Sequence, residues 1–197
     1  MNDRNMKTES LTTLYIKNMV CNRCIMAVRN QLEDLGLQPV SVELGIVVLP
    51  GKLTEESYRA IKASLEPLGF ELLDDKKSQL TEQIKDAIIQ LVHYSDSNLK
   101  VNLSDYLVEK FHRDYGSMSK LFSETTQTTI EKYFIAQKIE RAKELLVYGE
   151  LSLNEIADQL NYSSAAYLSA QFKSVTGLTP SYFRKIKENK RKSLDEV

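Results

Sequence analysis

The stretch Leu151–Lys185, LSLNEIADQLNYSSAAYLSAQFKSVTGLTPSYFRK, decides the reading of the C-terminal half of this chain. It divides into three short helices. Ile156, Ala157 and Leu160 make one apolar face, with Ser152 or Asn154 able to cap its start. The turn Asn161-Tyr162-Ser163 follows, and Ser163 or Ser164 can cap the next helix. Leu168, Phe172 and Val175 recur at helical spacing until Gly177, which ends that helix. Thr179-Pro180 opens a third, with proline suited to its first position. Ala157 fits a crossing point where a larger side chain would push two helices apart. Asn161 stands where such turns often hold glycine, and asparagine tolerates a left-handed backbone better than most residues. Two short helices joined by a tight turn form a helix-turn-helix, whose second helix can enter a DNA major groove. Periodicity alone allows a small helical core without DNA as readily.

The order and intervals of Ile156-Ala157, Leu160, Phe172-Lys173, Gly177, Thr179-Pro180 and Phe183-Arg184 break that tie. Together they resemble the signature of the AraC family of bacterial transcription regulators. That family carries two helix-turn-helix units joined by one helix. Leu103–Phe122 repeats the pattern: Leu107-Val108, Phe111 and His112 correspond to Ile156-Ala157, Leu160 and Asn161. Met118 and Phe122 correspond to Leu168 and Phe172, across a turn one residue shorter. His112 then takes the special turn position, which histidine tolerates. Thr129–Val147 reads as the joining helix, with Ile135, Ile139, Ala142, Leu145 and Leu146 inward. About eighteen helical residues span roughly 27 Å, comparable with the ~34 Å between major-groove segments on one DNA face. The resemblance covers about residues 80 to 187.

It also implies which side chains face DNA. The recognition helices run from about Gly116 to Glu124 and from Ser164 to Thr176. Lys120 stands where the family often places a base-reading arginine, and Ala170 is its counterpart in the second unit. Ser117, Ser119, Ser164, Ala166, Ser169 and Gln171 are further groove-facing candidates, with Lys173 and Arg184 as additional DNA contacts. Alanine can only touch a thymine methyl, so readout at Ala170 rests more on phosphate contacts and DNA shape. Lys138 replaces a frequent arginine of the joining helix, keeping the charge without the planar fork.

The N-terminal half reads differently. Alternation from Leu14 toward Met19 predicts a strand. Val20-Cys21-Asn22-Arg23-Cys24 then leads into a helix with Ala27, Val28, Leu32 and Leu35, broken at Gly36. Val40–Glu43 and Ile46–Leu49 flank Leu44-Gly45 as a hairpin. Thr54 caps a helix with Glu55 and Glu56 in its first turn, and Gly69 precedes a last strand, Phe70–Leu73. This order is βαββαβ over about seventy residues, which fits a ferredoxin-like fold. Asp74–Ser78 is a charged joint. The expected organisation is α+β: residues 1–75 as a ferredoxin-like domain, then 76–197 as an all-α domain with two helix-turn-helix units. Residues 1 to 10 are polar and expected to fray. A stripe of Leu80, Ile84, Ile88, Leu91 and Val92 forms a helix ending near Tyr94 that packs on the helical domain, with linking the domains or supporting a dimer contact as the alternatives. His93 is a partly buried or solvated residue of it.

Asn18-Met19-Val20-Cys21-Asn22-Arg23-Cys24 after a first strand resembles the M-x-C-x-x-C loop of heavy-metal-associated domains, the fold of copper chaperones. Leu68-Gly69-Phe70 falls where that family has glycine and an aromatic residue before its last strand. Asn18 and Val20 depart from it, standing where the family usually has glycine and a small hydroxyl residue. Cysteines three apart at a helix N-terminus can turn both sulfurs toward one ion, and the helix dipole and Arg23 favour thiolates. A thiolate pair selects Cu(I) or another soft ion, whereas Zn(II) needs further ligands. A redox pair or inert cysteines are the alternatives at Cys21 and Cys24. Met19 is expected to plug the core beneath the loop.

At 197 residues and a net charge of −1, the chain suits one or two domains, and bulk electrostatics do not announce nucleic acid. Basic residues instead gather at Arg184, Lys185, Lys187, Lys190, Arg191 and Lys192, for a solvated helix end or phosphate contact. Two cysteines make no disulfide framework. No apolar run reaches membrane-spanning length and no signal peptide shows, so a cytoplasmic protein without a membrane partner is expected. A nucleophile motif, a phosphate loop and a spaced acid–base pair are all missing, which speaks against an enzyme. The expectation is a transcription regulator responsive to a soft metal, with double-stranded DNA and RNA polymerase as partners and a homodimer as an option. Two alternatives stand beside it: a regulator whose cysteines are a redox switch or without function, and a metal carrier docking through its helical half.

Overall fold

The computed structural model describes residues 10–94 and 102–189, with side chains to residue 186. The fraying expected of residues 1–9 and the cations Lys190, Arg191 and Lys192 lie outside these residues, as does the side chain of Lys187. The chain divides into two compact units, Met1–Asp86 and Ala87–Val197.

In the first unit, β1 (Leu11–Lys17) is followed by α1 (Asn22–Asp34), β2 (Ser41–Glu43) and β3 (Ile46–Pro50). Then come α2 (Glu55–Leu65), a 3₁₀ turn (Glu66–Leu68) and β4 (Glu71–Leu72). The four strands form one antiparallel sheet in the order β2-β3-β1-β4. Leu14 pairs with Val47 across β1 and β3, and Ile16 with Leu72 across β1 and β4. Each helix therefore joins two parallel strands with a third inserted between them. Alternation works as expected: Leu14 and Ile16 of β1 and Val47 and Leu49 of β3 point inward. Val28 and Leu32 of α1 and Ile61 and Leu65 of α2 close over them. Thr54 caps α2 by accepting from the Ser57 N–H, with Glu55 and Glu56 in the first turn. Met19 is fully buried, as a plug beneath its loop must be.

The β2–β3 turn shows why glycine is needed there. Gly45 has φ +72, and a Cβ on it would lie 1.8 Å from Asp86 Oδ2. Its carbonyl also accepts from the Ile16 N–H at 2.9 Å. Asp86 lies on α3 (Lys76–Ile89), which begins at the charged joint, where Asp75 accepts from the Lys77 and Ser78 amides. The division between the two units falls inside this helix, after Asp86. A π-helical turn, Gln90–Tyr94, follows it.

The second unit is helical: α4 (Leu103–Phe111), α5 (Tyr115–Thr126), α6 (Ile130–Tyr148), α7 (Leu153–Gln159), α8 (Ala165–Thr176) and α9 (Pro180–Asn189). Ile139, Ala142, Leu145 and Leu146 of α6 meet Ile156, Ala157 and Leu160 of α7 and Leu168 and Phe172 of α8 in one core, with Phe183 against it. His93 is partly buried, its Nε2 3.1 Å from Gln137 Oε1.

Candidate nucleic-acid interface and thiol loop

The second helices of the two pairs, α5 and α8, repeat each other's flanking contacts at an offset of fifty residues. Asp114 caps α5 by accepting from the Ser117 N–H, as Ser164 caps α8 through the Tyr167 N–H. Met118 and Phe122 are buried as Leu168 and Phe172 are. Thr126 Oγ1 donates to the Phe122 carbonyl at 2.7 Å, and Thr176 Oγ1 to the Phe172 carbonyl at 2.8 Å. Gln127 and Gly177 then end their helices at φ 59 and 76. Thr129 and Thr179 cap α6 and α9. Even the ring pairs correspond, Phe122–Tyr133 at 5.8 Å and Phe172–Phe183 at 5.5 Å.

The turns carry the expected difference. His112 and Asn161 both take the left-handed conformation, at φ 52 and 51. His112 lies two residues before its cap Asp114 and Asn161 three before Ser164, so the first turn is the shorter. Ser152, the residue that caps α7, forms a capping box with Glu155, which secures a helix of only seven residues. The copies differ at the crossing position. Ala157 is 2% exposed, whereas Val108 is 39% exposed.

Buried side chains on α5 and α8 define an opposite, open face. Ser117 and Lys120 are exposed on α5, and Ser119 is half-buried beside them. On α8, Ala166, Ala170 and Lys173 are exposed, and Ser169 and Gln171 are half-buried. Two candidates have internal duties. The Ser164 hydroxyl is the α8 cap, and the Ser117 hydroxyl donates to the Asp114 carbonyl at 2.7 Å. Arg184 is half-buried, and its Nη2 donates to the Leu151 carbonyl at 2.9 Å, tying α9 to the α6–α7 connection. Tyr167 was not anticipated. It is 55% exposed between Ala166 and the buried Leu168, its ring 5.9 Å from that of Tyr162. Its place between groove-facing positions was the available signal.

Lys138 is the largest surprise. It is 7% exposed, its Nζ 3.8 Å from the Tyr162 ring centroid and 5.3 Å from that of Phe134. No carboxylate among the described residues pairs with it. Burial pushes its pKa down to about 8, while the two ring faces favour the ammonium.

In the first unit, Cys21 is the N-cap residue of α1 and both cysteines are half-buried. Their sulfurs are 3.3 Å apart. The Cys21 thiol is held below its ordinary pKa, first by the Cys24 N–H, then by the Cys24 thiol, and also by the Arg23 amide and charge; burial opposes them. Asn18, which departs from the loop pattern, takes φ 73, the backbone for which glycine is otherwise used. Asparagine also adds an anchor, donating through Nδ2 to the Gly69 carbonyl at 2.9 Å. The Asn18 N–H donates to Glu82 Oε1 of α3 at 3.2 Å. Two thiolates on a tetrahedral zinc lie roughly 3.8 Å apart, given Zn–S bonds of about 2.3 Å. Among the described residues no three of His, Cys, Asp and Glu gather to hold a metal. The donor set among the described residues is thus the two sulfurs, short of the four ligands of structural zinc.

Comparison with known proteins falls on the helical unit. Residues 107–186 match a family described as a helix-turn-helix domain. Among relatives, the Msm operon regulatory protein of Streptococcus mutans is 27% identical over 135 residues, 68% of this chain and 47% of that one. The xylose operon regulatory protein of Escherichia coli K12 is 30% identical over 101 residues, 51% of this chain and 26% of that one. The chain thus spans less than half the length of these curated relatives. The C-terminal domain of AraT from Geobacillus stearothermophilus is a solved structure similar to it, with TM-score 0.48 and 22% identity over 57% of this chain and 88% of that one. Both curated relatives are regulatory proteins by name. No helix among the described residues is long and apolar enough to cross a membrane.

Proposed function

We propose that the chain is a sequence-specific, DNA-binding transcription regulator of the AraC type that responds to a soft metal such as Cu(I) through Cys21 and Cys24. The observation that carries the DNA half is the fifty-residue repeat. Two recognition helices are built with the same caps, aromatic pairs and threonine stops, each with an open polar face. Lys120, Ser119, Ala166, Ser169, Ala170, Gln171 and Lys173 are the side chains offered to DNA. Ser117 and Ser164 set the helix starts, from which backbone amides can meet phosphate, and Arg184 fixes α9.

The first unit is read as a ferredoxin-like, heavy-metal-associated-like domain. Its support is the order βαββαβ with each helix joining parallel strands around an inserted third. The loop adds a left-handed Asn18, a buried Met19 and two converging sulfurs. A bound soft ion supplies two sulfur–metal bonds there. The protein holds the loop, and the Cys24 amide and the Arg23 charge favour the Cys21 thiolate. The 3.3 Å sulfur separation favours a second reading, a thiol–disulfide pair, equally compatible with the repeat.

In this role the chain works in the bacterial cytoplasm, on double-stranded DNA and with RNA polymerase; the family resemblance supports both. A homodimer is a further expectation that mass measurement in solution decides. The metal reading is tested by anaerobic purification with metal analysis, then binding to genomic DNA fragments with and without the ion. Cys21→Ser with Cys24→Ser should abolish Cu(I) binding and leave the fold intact. Stoichiometric Cu(I) retained by the double variant would place the site elsewhere. No metal uptake by the reduced wild type would leave the redox reading.

A further inference from the structure

The thiol loop is not held by its own strand and helix alone. Asn18 is the residue where β1 turns into the loop, and its amide is fixed by Glu82 Oε1 from α3, sixty-four residues later. Glu82 is only 8% exposed, and its second oxygen accepts from Lys85 Nζ at 3.1 Å, so the carboxylate is oriented from both sides. One turn on, Asp86 reaches the same end of the sheet, filling the space above Gly45. The Gly45 carbonyl in turn accepts from the Ile16 N–H, two residues before Asn18. Glu82 and Asp86 are four residues apart and so share one face of α3. A buried carboxylate on a backbone amide is a charge-assisted link, and losing it leaves a buried acceptor without its partner.

We propose that Glu82 is a positioning residue that couples the state of the Cys21–Cys24 loop to helix α3. Opening the sulfur pair from 3.3 Å toward an ion, or closing it to a disulfide of about 2.05 Å, moves the loop that starts at Asn18. The Asn18 amide then shifts against Glu82, and the hydrogen bond to α3 lengthens or shortens with it. Helix α3 registers the change because it contributes both the carboxylate on Asn18 and the side chain on Gly45. This deepens the proposed regulatory function and rests on Cys21 and Cys24 being the responsive pair, though not on the pair binding metal.

Hydrogen exchange of the full chain, read by mass spectrometry, tests the coupling in three states. These are the reduced protein, the protein with one equivalent of Cu(I) under anaerobic conditions, and the protein oxidised by diamide, which removes the two thiol hydrogens as the disulfide forms. In the wild type, residues 76–89 should change exchange rate by about five-fold or more along with residues 17–24, the lower range of coupling between sites. In Glu82→Ala the change should stay within residues 17–24. Glu82→Gln, whose carbonyl still accepts from Asn18, should retain the response in both segments and guards against simple unwinding of α3 in the alanine variant. If neither segment responds to Cu(I) but both respond to diamide, the metal reading falls and the coupling stands. Residues 17–24 responding to either reagent while 76–89 stay unchanged would overturn the proposal. So would an unchanged α3 response in Glu82→Ala, or no response of any segment to either reagent.

Discussion

Replacing Lys138 by methionine isolates the one buried cation among the described residues of the helical unit. The ammonium has an ordinary pKa of 10.5 and is pushed down to about 8 in the fold, because burial disfavours the charged form. Taken without discount, that difference corresponds to roughly 3 kcal/mol at neutral pH. Two effects reduce it. Solvent screening of an amine at the edge of the core removes about half, and attraction to the Tyr162 and Phe134 ring faces returns about 0.5–1 kcal/mol. A net cost of about 1 kcal/mol remains, so Lys138→Met, which fills similar volume without charge, should stabilise the unit by about that much at pH 7.

The sign with pH follows from linkage. The folded pKa lies below the unfolded one, so the unfolded chain binds the extra proton between about pH 8 and 10.5. Wild-type stability therefore rises through that window, and the cost is complete below it. The advantage of Lys138→Met should be full at pH 7 and vanish by about pH 10.5. Denaturant titrations at both pH values, with exchange protection of residues 130–176 assigning the transition to this unit, measure the difference. A methionine variant whose stability relative to wild type is the same at both pH values would refute the reasoning, because the folded amine would then keep its ordinary pKa. Duplex affinity gives a second check. An internal Lys138 leaves it unchanged, whereas a phosphate contact would lower its salt slope by about one unit.

Other substitutions follow from single contacts. Gly45→Ala should destabilise the first unit by at least about 1 kcal/mol even if the Asp86 side chain turns away, because φ +72 strains any L side chain. A loss of unfolding free energy below about 0.3 kcal/mol in urea titration would contradict this. Ser152→Ala removes the α7 capping box and should cost about 1 kcal/mol, seen as a Tm lower by roughly 2–4 °C. Lys120→Ala should lower discrimination at one base pair by about 1–3 kcal/mol if it reads a base, or weaken all sequences evenly if it holds phosphate. Ala170→Arg should raise affinity on the same panel of single-base variants at two salt concentrations. No effect of either would mean the groove-facing sides are misassigned.

How much of this was legible in the chain depends on whether a residue's role is local. The caps Thr54, Ser152 and Ser164, the left-handed His112 and Asn161, and the inward stripe of α6 follow from neighbours within one turn and are found. On α8 only Leu168 and Phe172 turn inward, and Val175, expected on the same face, is 48% exposed in the last turn of the helix. Lys138 shows where local reading stops. Three residues after Ile135 and four before Ala142, it sits on the buried stripe. What accommodates its charge there is a ring supplied by Tyr162, twenty-four residues away, and no period in the sequence points to that pairing. Glu82 and Asp86 are similar, since nothing in α3 announces that their partners are Asn18 and Gly45. Asn18 carries the lesson to the loop. Read against a family pattern it is a departure that weakens the metal assignment, but at φ 73 it does what glycine does and adds a bond to the Gly69 carbonyl. The departure thus costs the loop no conformational freedom it needs. Its thiol chemistry must be judged on the two sulfurs and on Glu82, the carboxylate that fixes the Asn18 amide.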